Sequence, residues 1–234
     1  MRGAAWILTA AALMLGAVPA RAADEPTLFV VQYIDVAPSA KATATAAASL
    51  RQARTLGRKE DGNLRFEIYA EAWRPSRFVI LSLWRDQKAF DAHAASAAAQ
   101  QLRAALDPLR VTAIDERQLS LIAGDPVTAV PGRPAPGAGA VYVVTHMDSI
   151  PTFKDEAAAA LKRLADASAK DAGLVRYQVL VQTNRANHFK LLEVWKDQAS
   201  FDAHLAASHT KQFRETVQPG AGSPYDERLY KRLN

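Results

Sequence analysis

The chain has 234 residues, of which 29 are Lys or Arg and 24 Asp or Glu, with 49% hydrophobic side chains and no cysteine. The missing thiol excludes disulfides, thiolate metal centres, iron–sulfur clusters and thioether-linked haem, so stability must come from ordinary hydrophobic cores. A formal charge of +5 over this length is too weak a balance to indicate a nucleic-acid surface.

Residues 1–22 read as an export signal. Arg2 supplies the positive end, "AAWILTAAALMLGAV" the apolar core, and Ala20-Arg21-Ala22 the small-x-small pattern cut by signal peptidase. A spanning helix needs about 20 apolar residues in a row, and Pro19 and Arg21 interrupt this run too early. Cleavage after Ala22 is therefore expected, giving a periplasmic or secreted protein with no stable membrane insertion and a formal charge of +3.

The first mature segment, "LFVVQYIDV" from Leu28, is β-branched and aromatic and predicts a strand; an Ala-rich helix follows Pro38, with Gly57 as its stop. Two strands come next, "LRFEIYAEA" and "RFVILSLW", joined by a turn at Pro75-Ser76. Asp86 stands where an N-cap is wanted, ahead of a second helix that ends before Pro108, and "DERQLSLI" closes the series as a last strand. Residues 123–140 hold eight Pro or Gly in eighteen positions, a composition that sustains neither helix nor central strand. This is a linker, and its "GAGA" lacks the third glycine and the preceding strand of a nucleotide-binding loop.

Beyond the linker the same order repeats. "VYVVTHMDS" is the strand; a helix shows Phe153, Ala157, Leu161 and Leu164 on one face, with Gly173 as its stop; "LVRYQVLVQT" and "HFKLLEVW" are the strand pair. Asp197 is the second N-cap, Pro219 the limit of the helix after it, and "DERLYKRL" the last strand. From Gly62 onward the copies align with a constant shift of 111 residues, pairing Trp84 with Trp195 and His93 with His204; the first strands align with a shift of 113. The chain is a tandem duplication of residues 28–122 and 141–233. Strand–helix–strand–strand–helix–strand is the ferredoxin-like plan, so the expected class is α+β: two βαββαβ repeats packed sheet to sheet as an intramolecular pseudodimer, with further homo-oligomerisation left open.

"WRDQKAFDAHAASAA" and "WKDQASFDAHLAASH" agree at eight of fifteen positions, mainly strand end, cap and packing positions. Chemistry is sought where the copies differ. His204 lies seven residues beyond Asp197, about 10 Å along a helix, which is about three residues of strand. It should therefore project near Leu192 or Glu193, and Glu193 shares a strand face with Phe189, Leu191 and Trp195. A carboxylate there could set the imidazole tautomer and raise its basicity. The first copy has Ser82 and Ala98 where the second has Glu193 and His209, so the second reads as the active half. The packing alternative is a core role for Trp84 and Trp195, with His93 and His204 flanking the buried stripe. Lys190, Lys196, Arg185 and Arg214 read as solvated surface. On one continuous helix His204 and His209 point about 140° apart, so no metal site is expected.

The runs G-x-x-x-[FY], F-x-[IL]-x-x-x-W-x-D and F-D-A-H resemble the antibiotic biosynthesis monooxygenase domain of the dimeric α+β barrel superfamily, across both copies. "AHLAASHTKQF" in the second copy is the closer match. The resemblance implies oxygenation of a phenol or quinol with molecular oxygen as co-substrate and neither metal nor flavin. Together with the helix and strand geometry, this reading takes His204 as the base, Glu193 as the carboxylate that orients it and Trp195 as a wall of the apolar pocket, with His209 at the same catalytic centre and Phe189, Leu191, Trp84 and His93 as substrate-binding positions. Haem-degrading relatives carry a first-strand asparagine; Gln32 and Thr145 stand in that region here, so haem is not expected. The expected partner is a small aromatic molecule and not nucleic acid. The rival reading is a non-catalytic periplasmic module binding a hydrophobic small molecule in the same cleft, with a haem-binding protein behind it.

Overall fold

The structure, a computed structural model, describes residues 27–124 and 136–234. The stretch expected to be an export signal and most of the expected linker lie outside the described residues. Among those described, no helix is long and apolar enough to cross a membrane.

The first repeat contains β1 (Leu28–Asp35), α1 (Ala40–Gly57), β2 (Asn63–Glu71), β3 (Arg77–Trp84), α2 (Gln87–Ala95), α3 (Ala97–Leu106) and β4 (Asp115–Gly124). The second contains β5 (Val141–Asp148), α4 (Lys154–Ser168), β6 (Leu174–Gln182), β7 (Arg185–Trp195), α5 (Gln198–Ala206), α6 (Ser208–Val217) and β8 (Asp226–Arg232). The strands close into one barrel in the order β1-β3-β2-β8-β5-β7-β6-β4. The pseudodimer is thus joined at its edges as well as face to face: β2 pairs with β8 through Tyr69↔Arg232 to Glu71↔Tyr230, and β4 pairs with β6 through Leu119↔Gln182 to Gly124↔Gln178. Closure gives every strand of the described residues a hydrogen-bonded neighbour on both sides.

Strand alternation sorts the side chains into three cores. Phe29, Val31, Val79, Leu81 and Leu83 of one repeat meet Tyr142, Val144, Leu192 and Val194 of the other inside the barrel. The opposite faces carry the helices, with Leu50, Phe66 and Trp84 in one core and Leu161, Phe189 and Trp195 in the other. The barrel interior also holds a polar cross-link with the pseudo-twofold symmetry of the duplication. Arg176 donates to Glu67 at 2.8 Å, and Arg65, the equivalent of Arg176, donates to Gln178, the equivalent of Glu67, at 2.9 Å. These bonds tie one repeat to the other, and the two guanidinium groups hold the Glu67 carboxyl down at about 2 against the effect of its burial.

The two-residue difference between repeats falls, as expected, at the start of the first helix: α1 is capped by the Ser39 hydroxyl, whereas α4 is preceded by a 3-10 turn at Pro151–Phe153. Three sequence expectations are corrected. Gly57 is the last residue of α1 but does not end it through a left-handed cap, and Gly173 lies beyond the end of α4. Gly57 leaves room for the Phe66 ring, which a Cβ would meet at 2.8 Å, and Gly173, like its counterpart Gly62, occupies the turn before a strand with positive φ. The single second helix is in fact two in each repeat, broken at Ser96 and at Ala207, both extended with ψ near 150°. Asp86 and Asp197 do cap their first turns, accepting from Ala89 N and Ser200 N.

Lys190 is the third correction, because it is not a surface group. It is 1% exposed, since its position on β7 puts it on the barrel face, opposite Phe189 and Leu191. Its Nζ lies 2.6 Å from His146 Nδ1. Burial is the largest cause lowering the ammonium to about 7; Arg117 and Arg228 push the same way, and Asp148 and Asp115 oppose them. The unfolded chain therefore binds more protons between about pH 7 and 10.5, so this group adds stability as pH rises through that window, and its cost is full below about pH 7. Lys190→Val, copying Val79, should stabilise the protein at pH 6, by an amount that shrinks toward pH 9. Urea melts at the two pH values measure this, and an equal effect at both would contradict it.

Candidate functional site

Each repeat builds the same unit from three elements. A histidine on the short helix (α2 or α5) lies against the tryptophan that ends β3 or β7, and a carboxylate from the turn after the first helix holds its Nδ1. In the first repeat His93 Nδ1 is 2.5 Å from Glu60 Oε2, while Ser96 Oγ donates to Glu60 Oε1 at 3.1 Å. The Trp84 ring stacks on His93 at 4.7 Å, and its Nε1 donates to Ser82 Oγ at 3.0 Å. In the second repeat His204 Nδ1 is 2.7 Å from Asp171 Oδ2, and the Trp195 ring lies 4.6 Å from the imidazole. A carboxylate at Nδ1 selects the tautomer with the proton on that nitrogen and leaves Nε2 as the basic atom.

The orienting carboxylate is therefore not Glu193. Its Oε2 accepts from Trp195 Nε1 at 2.9 Å and lies 3.9 Å from His204 Nε2, beyond hydrogen-bond range. Burial raises Glu193 to about 8, although the Trp195 bond acts in the other direction. His204 is lowered, chiefly by burial, with Asp171 opposing. Glu60 and Asp171 were missed by sequence reasoning because each lies 33 residues from its histidine. The available signal was their equivalence under the 111-residue shift, as acidic residues two positions before Gly62 and Gly173.

The helix break changes the position of His209. With Ala207 extended, α6 starts in a new direction and returns His209 Nε2 to 3.0 Å from the same Asp171 Oδ2 that binds His204. The two rings, expected on different faces of one helix, have centroids 5.6 Å apart.

The repeats differ most in the space around the unit. A cavity of about 410 Å³ opens beside His93, lined by Ile34, Phe66, Ile80, Leu102 and Ile114, with Gln32, Arg103 and Glu116 among its polar groups. At the equivalent positions the second repeat carries larger side chains: Leu164 for Ala53, His209 for Ala98, Phe213 for Leu102 and Tyr225 for Ile114. Leu164 and Phe213 are buried in the core there, as are Phe189, Leu191 and Trp195, and the His204 side chain is 3% exposed. Of the residues expected at a site, His93 and Trp84 thus belong to the half with the open cavity, and Phe189 and Leu191 to a filled core.

A profile of the antibiotic biosynthesis monooxygenase family matches residues 27–105 and again 140–216. The chain belongs to the antibiotic biosynthesis monooxygenase family. Its architecture is shared by a proposed monooxygenase from Fusobacterium nucleatum, with TM-score 0.76 and 16% identity over 89% of this chain and 93% of that one. A proposed monooxygenase from Lactobacillus acidophilus gives TM-score 0.72 and 15% identity over 90% and 95%. An anthrone oxidase-like protein gives TM-score 0.69 and 12% identity over 90% and 92%. These likenesses are of fold. No curated protein matches the chain.

The difference in filling gives a stability test. Leu164→Ala should destabilise the protein by about 2–5 kcal/mol, because it empties a closed core. Ala53→Leu should change stability by less than about 1 kcal/mol, because the added atoms enter existing space. Paired urea melts measure both, and a large loss on Ala53→Leu would show that the cavity is not available volume.

Proposed function

We propose that the protein is an exported, cofactor-independent monooxygenase that oxygenates a small phenol or quinol in the first repeat, with His93 as general base. The observation that carries this reading is the cavity at His93, whose imidazole is held by Glu60 at Nδ1 and stacked on Trp84. Its volume of about 410 Å³ is within the usual range for small-molecule sites. An apolar wall with a few polar groups suits an aromatic ring carrying one or two oxygens. Family membership supports oxygenation, and the likeness to an anthrone oxidase-like protein favours an aromatic substrate.

In this reading His93 Nε2 takes the phenolic proton, and Glu60 stabilises the imidazolium. The phenolate pushes electron density onto an ortho or para carbon, where dioxygen adds and takes a proton to form a hydroperoxide. Loss of the proton from that carbon then cleaves the O–O bond, giving a carbonyl on the ring and water. A phenol plus dioxygen thus becomes a quinone plus water, and a quinol becomes a hydroxyquinone plus water. The substrate supplies all four electrons, which is why the reading needs neither metal nor flavin. Arg103 at the cavity supplies positive potential for the phenolate.

Oxygen uptake with a panel of naphthols and hydroquinones tests the proposal. His93→Ala should lower kcat/KM by at least about 100-fold. Ala53→Leu should raise KM by occupying the cavity. His204→Ala is the comparison, and a larger loss there than with His93→Ala would return the chemistry to the second repeat.

A further inference from the structure

In the second repeat the residues around His204 do something the first repeat cannot. Asp171, His204 and His209 each offer one ligand atom, and these atoms all lie within 4.8 Å of one another. We propose that they form a binding site for one divalent transition-metal ion of the zinc, cobalt or nickel class. The site is separate from the cavity at His93 and does not depend on the oxygenase reading.

The ligand set is two imidazoles and one carboxylate with no thiolate, which suits borderline cations and leaves a fourth position for water. Asp171 Oδ2 stands 2.7 Å from His204 Nδ1 and 3.0 Å from His209 Nε2. A tetrahedral ion with bonds of about 2.0–2.1 Å needs its ligand atoms about 3.3 Å apart, so the two Asp171 contacts have to open by roughly half an ångström or less, while the two imidazole nitrogens already lie within 4.8 Å of each other. The Asp171 and His209 side chains are 18% and 24% exposed, which provides access, whereas His204 is anchored at 3%.

The second observation is the environment of the other His204 nitrogen. A metal on Nδ1 forces the ring proton onto Nε2, and Nε2 faces the buried Glu193 Oε2 at 3.9 Å. A metal-bound imidazole usually donates its other ring N–H to a carboxylate, and Glu193, held by the Trp195 indole N–H, stands where it can accept that bond once the gap shortens by about 1 Å. It also gives Glu193 a role that the first repeat does not need, since that copy has Ser82 there and Ala98 in place of His209.

Tag-free protein, stripped with chelator, should bind one equivalent of Co2+ with visible d–d absorption, and Zn2+ should displace it. His209→Ala, which reproduces the arrangement of the first repeat, should weaken binding by more than about 100-fold, while its metal-free melting temperature stays within a few degrees of the parent. Asp171→Asn should do the same, and Glu193→Gln should cost about 10-fold or more. No stoichiometric Co2+ spectrum, or a spectrum and affinity unchanged in His209→Ala, would overturn the site.

Discussion

The structure depends on the pairing of strand edges between the two repeats. A four-stranded sheet of this kind, covered by helices on one face, leaves an apolar face and two rows of unpaired backbone groups. Both problems are solved together when β2 finds β8 and β4 finds β6, since closing the ring buries the second face as the barrel interior. The bonds from Arg65 to Gln178 and from Arg176 to Glu67 add direction to that closure. They place each arginine against a residue of the other repeat, and so specify which edges meet. Neither repeat is a finished folding unit without the other.

Fusing the two halves removes the requirement that they be identical. A dimer of identical subunits has two identical sites, whereas a tandem chain is free to fill one and open the other. Larger side chains at four positions in the second repeat accompany the difference between a half with space beside its histidine and a half whose histidine is buried. The shared histidine, tryptophan and turn carboxylate then serve different surroundings. In one repeat the imidazole borders a cavity; in the other a second histidine joins the carboxylate, and a buried glutamate stands behind the ring.

The barrel interior shows how far strand alternation reaches and where it fails as a guide to solvent. Lys190 occupies an inward position on β7 as regularly as Leu192 and Val194 do. Its charge suggests surface, but its register decides otherwise. Strand alternation was legible, but which face of the strand met water depended on closure of the barrel. Tyr33 and His146, equivalent residues of the two repeats, also meet there, with ring centroids 4.9 Å apart. They come from strands that are not hydrogen-bonded to each other.

By itself the sequence determined the duplication, the order of strands and helices, the caps at Asp86 and Asp197, and the placing of Trp195, Glu193 and His204 in one neighbourhood. These follow from local chemistry and from periodicity, which act over a few residues. Tertiary structure alone decided that Glu60 and Asp171 hold the imidazoles, that a break at Ala207 returns His209 to Asp171, and that a cavity opens beside His93. The physical reason is common to all three. Each depends on distances between elements, set by how helices seat on a closed barrel and by summed side-chain volumes, and neither quantity is carried by spacing along the chain.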